Sequence, residues 1–361
     1  MYQWIDDVAA LNAWLAPRRR ERIIGLDTEF MRTNTFRARL ALVQINVDGE
    51  VAVLDSPQLG SHGDLGARLA ASDCVCVIHS SSEDLEAMVD ILPDGPANLF
   101  DTQIAAAMAG LGFGLSYQKL VSTLLGIDLP KAETRSDWLA RPLSAAQLDY
   151  AAQDVEHMPE IYRLLDEKLA MLGRREWLAE DCRRLVERVC HPIADLQPQR
   201  AFRTASDWPV EQRVLLRRIL LWRESNARTL DKPRSWILDD AHALEFASRP
   251  PVDTHDLFER SKGLRALRGP QRNELFDVLR APPQPDELDA TPIPPPFTPQ
   301  QRRQLQAWRD AIAAIAQREN IPEGLLCSRR HLESLLTDGV WPAALDGWRK
   351  PLLFDSLSET R

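Results

Sequence analysis

The chain has 361 residues, 44% of them hydrophobic, and a formal net charge of −9, which is enough for two or three domains around a large core. The acidic balance excludes a protein that coats polyanions by bulk charge, and it is uneven: residues 1–170 carry 25 Asp/Glu against 14 Lys/Arg, while the remainder is close to neutral. Five cysteines without paired spacing argue against a disulfide framework or a structural zinc site. With no apolar run resembling a signal peptide or a membrane span, the expectation is a soluble cytoplasmic protein with no membrane partner.

In chain order, residues 3–16 read as a helix with Trp4, Val8, Leu11 and Leu15 near one face. Arg18-Arg19-Arg20 follows as a solvated turn. The first strand runs from Arg22 to Leu26 and leads into Asp27-Thr28-Glu29-Phe30. The period of two puts Asp27 and Glu29 on one face at the edge of a core. Gly25 relieves crowding just before them. Two carboxylates in that position repel and resist dehydration, a cost that a divalent cation removes; the competing reading is an ordinary strand end with incidental acids. Arg32, Arg37 and Arg39 surround the polar connection that follows, beside the acids, as a phosphorylated substrate would require. Leu40–Val47 and Val51–Asp55 read as further strands joined by an Asp48-Gly49 turn, giving a partly antiparallel three-strand unit. A helix is expected over about 59–71, then a strand over Cys74–Ile78.

That strand ends in His79-Ser80-Ser81-Ser82-Glu83-Asp84. Ser81 and Asp84 have capping-box spacing, so Asp84 reads either as a helix cap or as a carboxylate at the sheet edge. His79 reads as structural rather than as a ligand, because the other candidate ligands are carboxylates. Asp101, in Asp101-Thr102-Gln103, opens an alanine-rich helix and is open to three roles: N-cap, metal-side acid or acceptor in a substrate site. Gly110–Ser116 is a connector without phosphate-loop spacing. Pro142 and Ser144 start a helical segment over 142–169, in which Tyr150 and Asp154 are four apart and share a face. A carboxylate there can bind a divalent ion, and a phenol can align water or bond a phosphate oxygen. Residues 171–205 form a charged helical connector, 206–281 a helical module, 282–299 a Pro-rich acidic linker and 300–361 another helical module with an apolar stripe of Leu305, Trp308, Ile312 and Ile315. Trp222 and Trp236 read as core residues. Arg217, Arg218, Arg223, Arg228, Lys232 and Arg234 form a distributed cationic surface.

Taken together, Asp27-Thr28-Glu29-Phe30 with Val43-Gln44-Ile45, His79–Leu85, and Tyr150-Ala151-Ala152-Gln153-Asp154-Val155 resemble the three ordered signatures of the ribonuclease D family, in the tyrosine-containing branch of the DEDD 3′-5′ exonuclease superfamily. The resemblance covers residues 1–170 and implies an α/β, ribonuclease H-like mixed-sheet exonuclease domain. It implies that Asp27, Glu29, Asp84 and Asp154 carry two divalent metal ions, Mg2+ or Mn2+, and that Tyr150 positions the attacking water. Asp101, His79, Arg32 and Gln103 are then supporting or substrate contacts. The runs Trp222–Arg228 and Pro233–Asp240 resemble the HRDC helical nucleic-acid-binding domain, which implies an RNA-guiding module over 206–281 and a divergent second copy over 300–361. The implied activity is 3′-5′ exoribonuclease action on RNA with a free 3′ end, releasing nucleoside 5′-monophosphates, in tRNA precursor and small stable RNA processing, with no obligate protein partner. The competing class is a noncatalytic RNA-binding or ribonucleoprotein assembly protein, which would need the helical half but no metal.

Overall fold

Alternating side chains and β-branched residues in the N-terminal half build one six-stranded mixed sheet: β1 (Tyr2–Ile5), β2 (Ile23–Met31), β3 (Arg39–Val47), β4 (Glu50–Asp55), β5 (Val75–Ile78) and β6 (Leu99–Asp101), in the spatial order β1-β4-β3-β2-β5-β6. The β2-β3-β4 meander is antiparallel, and β1, β5 and β6 join it in parallel pairings. The computed structural model describes residues 1–130, 136–288 and 292–358; residues 289–291 of the expected linker and 359–361 of the expected last module lie outside the described residues. The chain divides into two units, one of Met1–Met31, Arg39–Pro192 and Gln300–Arg361, the other of Arg32–Ala38 and Ile193–Pro299. No helix among the described residues is long and apolar enough to cross a membrane.

Two local expectations are corrected. The chain opens on a strand, not on a helix over 3–16: Tyr2–Ile5 pairs with Val51–Leu54, and helix α1 (Val8–Leu15) starts only at Asp7, whose carboxylate caps the Ala10 N–H. Tertiary pairing outweighs the helical spacing of Trp4 with Val8. The acids of β2 do not end the strand either, because pairing with β3 continues past them to Met31, with a bulge between Glu29 and Phe30. The unforeseen short strand β6 then supplies the sheet's last position.

Two short helices, Ser56–Leu59 and Asp64–Leu69, stand where one over about 59–71 is expected, and helices α2 (Ser82–Ala87), α3 (Thr102–Met108), α4 (Tyr117–Leu125), α5 (Ala145–Glu156), α6 (Met158–Met171) and α7 (Arg175–Cys190) follow in the first unit. Ser144 and Gln147 form a reciprocal capping box at the start of α5. The α5–α6 junction lies hard against β2: a Cβ built on Gly25 would sit 2.6 Å from the Met158 Cβ. Across the strand pair from Gly25, the Asn46 amide donates to the Val155 and Glu156 carbonyls at 3.0 and 2.8 Å, which ties the end of α5 to β3.

In the second unit, α8 (Val210–Thr229), α9 (Asp240–Ser248) and α10 (Gly269–Arg280) enclose a separate core that includes Leu216, Ile219, Leu220, Phe246, Leu257 and Leu275. The Arg32–Ala38 segment is held within it. Asp231, in the left-handed region at φ 48°, accepts the Phe36 and Arg37 backbone N–H groups at 3.0 Å each. The guanidinium groups of Arg228 and Arg234 lie 4.9 and 5.0 Å from the centre of the Phe36 ring, and both pair with Glu224. Trp222 packs on the second core, while Trp236 is half-buried with Arg265 over its ring at 5.0 Å.

The C-terminal helices α11 (Pro299–Glu319) and α12 (Arg329–Asp338) return to the first unit. Trp308, Ile312, Ile315 and Leu353 belong to the same core as Leu26 and Ile45 of the sheet. Two buried arginines secure this return: Arg349 bonds both oxygens of Asp181 at 2.5 and 2.7 Å, and Arg174 donates to the Met108 and Glu319 carbonyls.

Gly25→Ala is expected to destabilise the protein by about 1–3 kcal/mol through forced separation of β2 from the α5–α6 junction. Urea unfolding measures this, and an unchanged midpoint would show that the junction accommodates a methyl group.

Candidate active site

Strand β2 supplies groups to the site from both of its faces. Gly25, Asp27 and Glu29 point one way, while Ile24, Leu26 and Thr28 point the other and are buried. Helix α5, placed by Gly25 and Asn46, brings Asp154 over the first face. One carboxylate oxygen from each of Asp27, Glu29 and Asp154 lies within 4.8 Å of the others, the spacing of a cation cluster. Asp84 reaches the site from α2 on the opposite side of the strand. The Thr28 hydroxyl donates to its Oδ1 at 2.6 Å, and the Thr28 backbone N–H faces the carboxylates of both Asp27 and Asp84. Asp84 lies outside the three-carboxylate cluster, and no side-chain cap forms at Ser81 of α2. Its carboxylate is thus committed to β2.

The electrostatics follow from crowding like charges away from water. Burial, then Asp84, Asp154 and Glu29, raise Asp27 well above the carboxylate range. Glu29 is pushed up to about 8 by burial and by Asp154 and Asp84, with a hydrogen bond from Trp138 opposing the rise. Burial lifts Asp84 to about 7 and Asp154 to about 6. Tyr150 shares a hydrogen bond with Asp154, and burial together with that carboxylate raises its phenol, so it stays protonated and donates.

The supporting residues are tightly engaged. Asp101 accepts five hydrogen bonds, from the backbone N–H groups of Ser80, Ser81, Gln103 and Ile104 and from the Ser81 hydroxyl. It therefore caps α3 and clamps the turn that precedes Asp84, including Ser80 at φ 61°. His79 bridges the Thr102 hydroxyl at 2.8 Å and the Leu115 carbonyl at 3.0 Å, and burial lowers its pKa. The carbonyl can only accept, so Nε2 carries the proton and Nδ1 accepts from Thr102. Gln103 donates to the same Leu115 carbonyl. Arg32 belongs to the second unit, where it lines a cavity of about 910 Å³ with Phe36, Arg223, Arg234 and Trp236.

Sequence reading missed Thr28, Asn46 and Trp138. Trp138 is 4% exposed, donates to Glu29 and stacks on Tyr150 with ring centres 6.1 Å apart, so it touches two members of the site. Its segment is pinned by Arg141, which pairs with both oxygens of Asp55 at 2.7 and 2.8 Å and donates to the Trp138 carbonyl. A usable signal existed for Asn46: Gln44 and Asn46 are polar at alternate positions of an otherwise apolar strand.

Residues 2–170 match the family model described as 3′-5′ exonuclease. Ribonuclease D of Xanthomonas oryzae pv. oryzae is 42% identical over 98% of this chain and 96% of its own length, and ribonuclease D of Pseudomonas paraeruginosa is 35% identical over 98% and 96%. Among solved structures, Escherichia coli RNase D, described as an exoribonuclease involved in structured RNA processing, superposes with a TM-score of 0.86 at 27% identity over 100% of this chain and 98% of its own. The α/β sheet with its helical C-terminal regions is therefore an exonuclease fold whose relatives imply divalent-metal use and an RNA substrate. The chain belongs to the ribonuclease D family and is a hydrolytic exoribonuclease.

Proposed function

We propose that Asp27, Glu29, Asp84 and Asp154 hold two divalent cations, Mg2+ or Mn2+, and that the enzyme removes 3′-terminal nucleotides from RNA as nucleoside 5′-monophosphates. The convergence of the Asp27, Glu29 and Asp154 carboxylates within 4.8 Å carries this reading. The donor set fits: hard oxygen ligands, partly dehydrated and mutually repelling, are the groups that hard cations stabilise. Bound cations supply activation of water and charge stabilisation at a phosphodiester. The chain's own residues do the rest. Tyr150, held as a donor beside Asp154, orients water toward phosphorus rather than removing its proton. Trp138 fixes the Glu29 carboxylate and the Tyr150 ring in one arrangement, and Thr28 does the same for Asp84.

Residues 206–281 are proposed as an HRDC-like RNA-guiding module and 300–361 as a divergent second one, with tRNA 3′-end maturation and small stable RNA processing as the biological setting. The structured RNA processing named for the Escherichia coli relative supports that setting. Release from 3′-labelled RNA and DNA, each with free or phosphorylated ends, tests substrate class directly; absence of monophosphate from every substrate would sink the enzymatic product assignment.

Asp27→Asn and Asp154→Asn should each cut nucleotide release by at least about 10³-fold while leaving the metal-free fold as stable as wild type, because each puts a neutral isostere where burial and neighbouring acids disfavour the ionised carboxylate. Tyr150→Phe should lower the single-turnover rate by about 10²-fold without weakening Mn2+ binding. Normal turnover in these variants would reject the assigned roles.

The carboxyls of Asp154, Asp84 and Glu29 bind protons more tightly folded than unfolded, their pKa values rising to about 6, about 7 and about 8. The cluster's contribution to the stability of metal-free protein should therefore be fully present below the ordinary carboxylate range and be lost as pH rises through 6 to 8. Saturating Mg2+ or Mn2+ should reverse this loss, with a stabilisation that grows with pH. Thermal melts at pH 5 and 8.5, with chelator and with metal, of wild type and of Asp154→Asn separate the cluster from the buried histidines, whose lowered pKa values act in the opposite direction; a metal-free wild type that loses no more stability over this range than the variant would contradict the repelling cluster.

A further inference from the structure

Gln44 is fully buried, and neither its Oε1 nor its Nε2 has a hydrogen-bond partner among the described residues. A buried side-chain amide with both polar ends unpaired is a costly feature in a sheet core. Its position gives it a use. Gln44 stands directly opposite Asp27 in the antiparallel β2–β3 pairing, with Asn46 opposite Gly25. Opposed residues project on the same face with Cβ atoms about 4.5–5.5 Å apart, and a glutamine amide extends one carbon further than an aspartate carboxylate. The amide therefore has Asp27 within reach of a simple rotamer change.

The neighbouring polar residue on this face shows what such positions do. Asn46 uses both ends of its amide, donating to the Val155 and Glu156 carbonyls and accepting the Gly49 N–H. Gln44 has the same face and the same strand but no carbonyl to bind. It is also inaccessible to RNA, being 0% exposed, so a substrate contact is ruled out. Directly opposite it in the pairing is Asp27, whose carboxylate already receives the Thr28 backbone N–H.

We infer that Gln44 is a positioning residue for the cation site: when Asp27 is ionised and engaged by a divalent cation, the Gln44 Nε2 donates to its carboxylate and fixes the oxygen that faces the metal. This rests on the reading of Asp27 as a metal ligand. Carboxylates that bind metals are themselves held by outer hydrogen bonds, and loss of such a partner weakens metal affinity by about 10–100-fold. Asp27 held by a cation would give the otherwise unpaired Gln44 amide a partner.

The two states give opposite signatures for one substitution. Gln44→Met keeps length and apolar packing while removing the amide, and Gln44→Leu is a second variant should methionine pack poorly. With chelator present, the variant should melt no lower than wild type, since an unpaired amide has been replaced by apolar atoms. Titrated calorimetrically with Mn2+ alone, it should bind about 10–100-fold more weakly. Unchanged Mn2+ affinity in a folded variant overturns the assignment, most clearly if the metal-free melting temperature has dropped, which would make Gln44 a purely structural amide. If wild-type protein itself binds no Mn2+, the four-carboxylate reading fails and takes this inference with it.

Discussion

Gathering several carboxylates in a partly dehydrated corner sets the terms for the rest of the molecule. Like charges separated by a few ångströms at an effective dielectric of about 20 repel by several kcal/mol, and burial adds to that cost for Asp27, Glu29, Asp84 and Asp154 alike. No local preference would place them together. The free energy comes from the sheet core, where Ile24 and Leu26 of the same strand are fully buried along with Leu42, Ile45 and Leu54 of its neighbours. Strand β2 thus joins the strongest stabilising surface of the unit to its most destabilising cluster, with the two functions divided between alternating residues. Thr28 connects them: it lies on the core face yet delivers Asp84 to the acids.

Position is then held by polar residues that replace loops' usual freedom with fixed bonds. Asn46 ties α5 to the sheet, Asp101 joins the turn before Asp84 to the start of α3 through five donors, and Arg141 links the Trp138 segment to Asp55 on β4. Each works because the groups it satisfies are buried and would otherwise be unpaired. His79 and Gln103 converge on one carbonyl, that of Leu115, and so set the connector between α3 and α4. The three roles open to Asp101 in the sequence narrow on this evidence to capping and clamping, since its two oxygens already accept a full set of donors.

The acids of the site were legible in the sequence because their spacings are short-range: Asp27 to Glu29 reads on a strand and Tyr150 to Asp154 reads on a helix without knowledge of the fold. Their convergence was legible only through the ordered signatures. What escaped was everything set by pairing across long separations. The opening strand Tyr2–Ile5 looks helical until β4 is available to receive it, and β6 is too short to show a period. Trp138 carries no local mark of its contact with Glu29 and Tyr150, because that contact depends on the Arg141–Asp55 pair, 86 residues apart in sequence. Gly25 relieves crowding, but the atom it makes room for, the Met158 Cβ, belongs to a helix more than a hundred residues away.

The helical half raises a different point about modularity. The helical patterns at 206–281 and 300–361 read as a module and a divergent second copy, but their cores differ in kind. The first surrounds its own set of residues, including Phe246 and Leu275, whereas Trp308, Ile312 and Leu353 share the core of the catalytic sheet. The buried Arg349–Asp181 pair reinforces that sharing, because either charge without the other would be left in a dry interior. Loss of activity on removing residues 300–361 would therefore report damage to the catalytic unit as readily as loss of an RNA-binding surface. The Arg32–Ala38 segment makes the converse case. It continues directly from the strand that carries Asp27 and Glu29, yet its backbone and its one aromatic ring are held by Asp231, Arg228 and Arg234 of the helical unit. Deleting the helical unit thus removes the groups that shape this loop, so a truncation tests the proposed RNA guidance less cleanly than substitutions on the helical surface do.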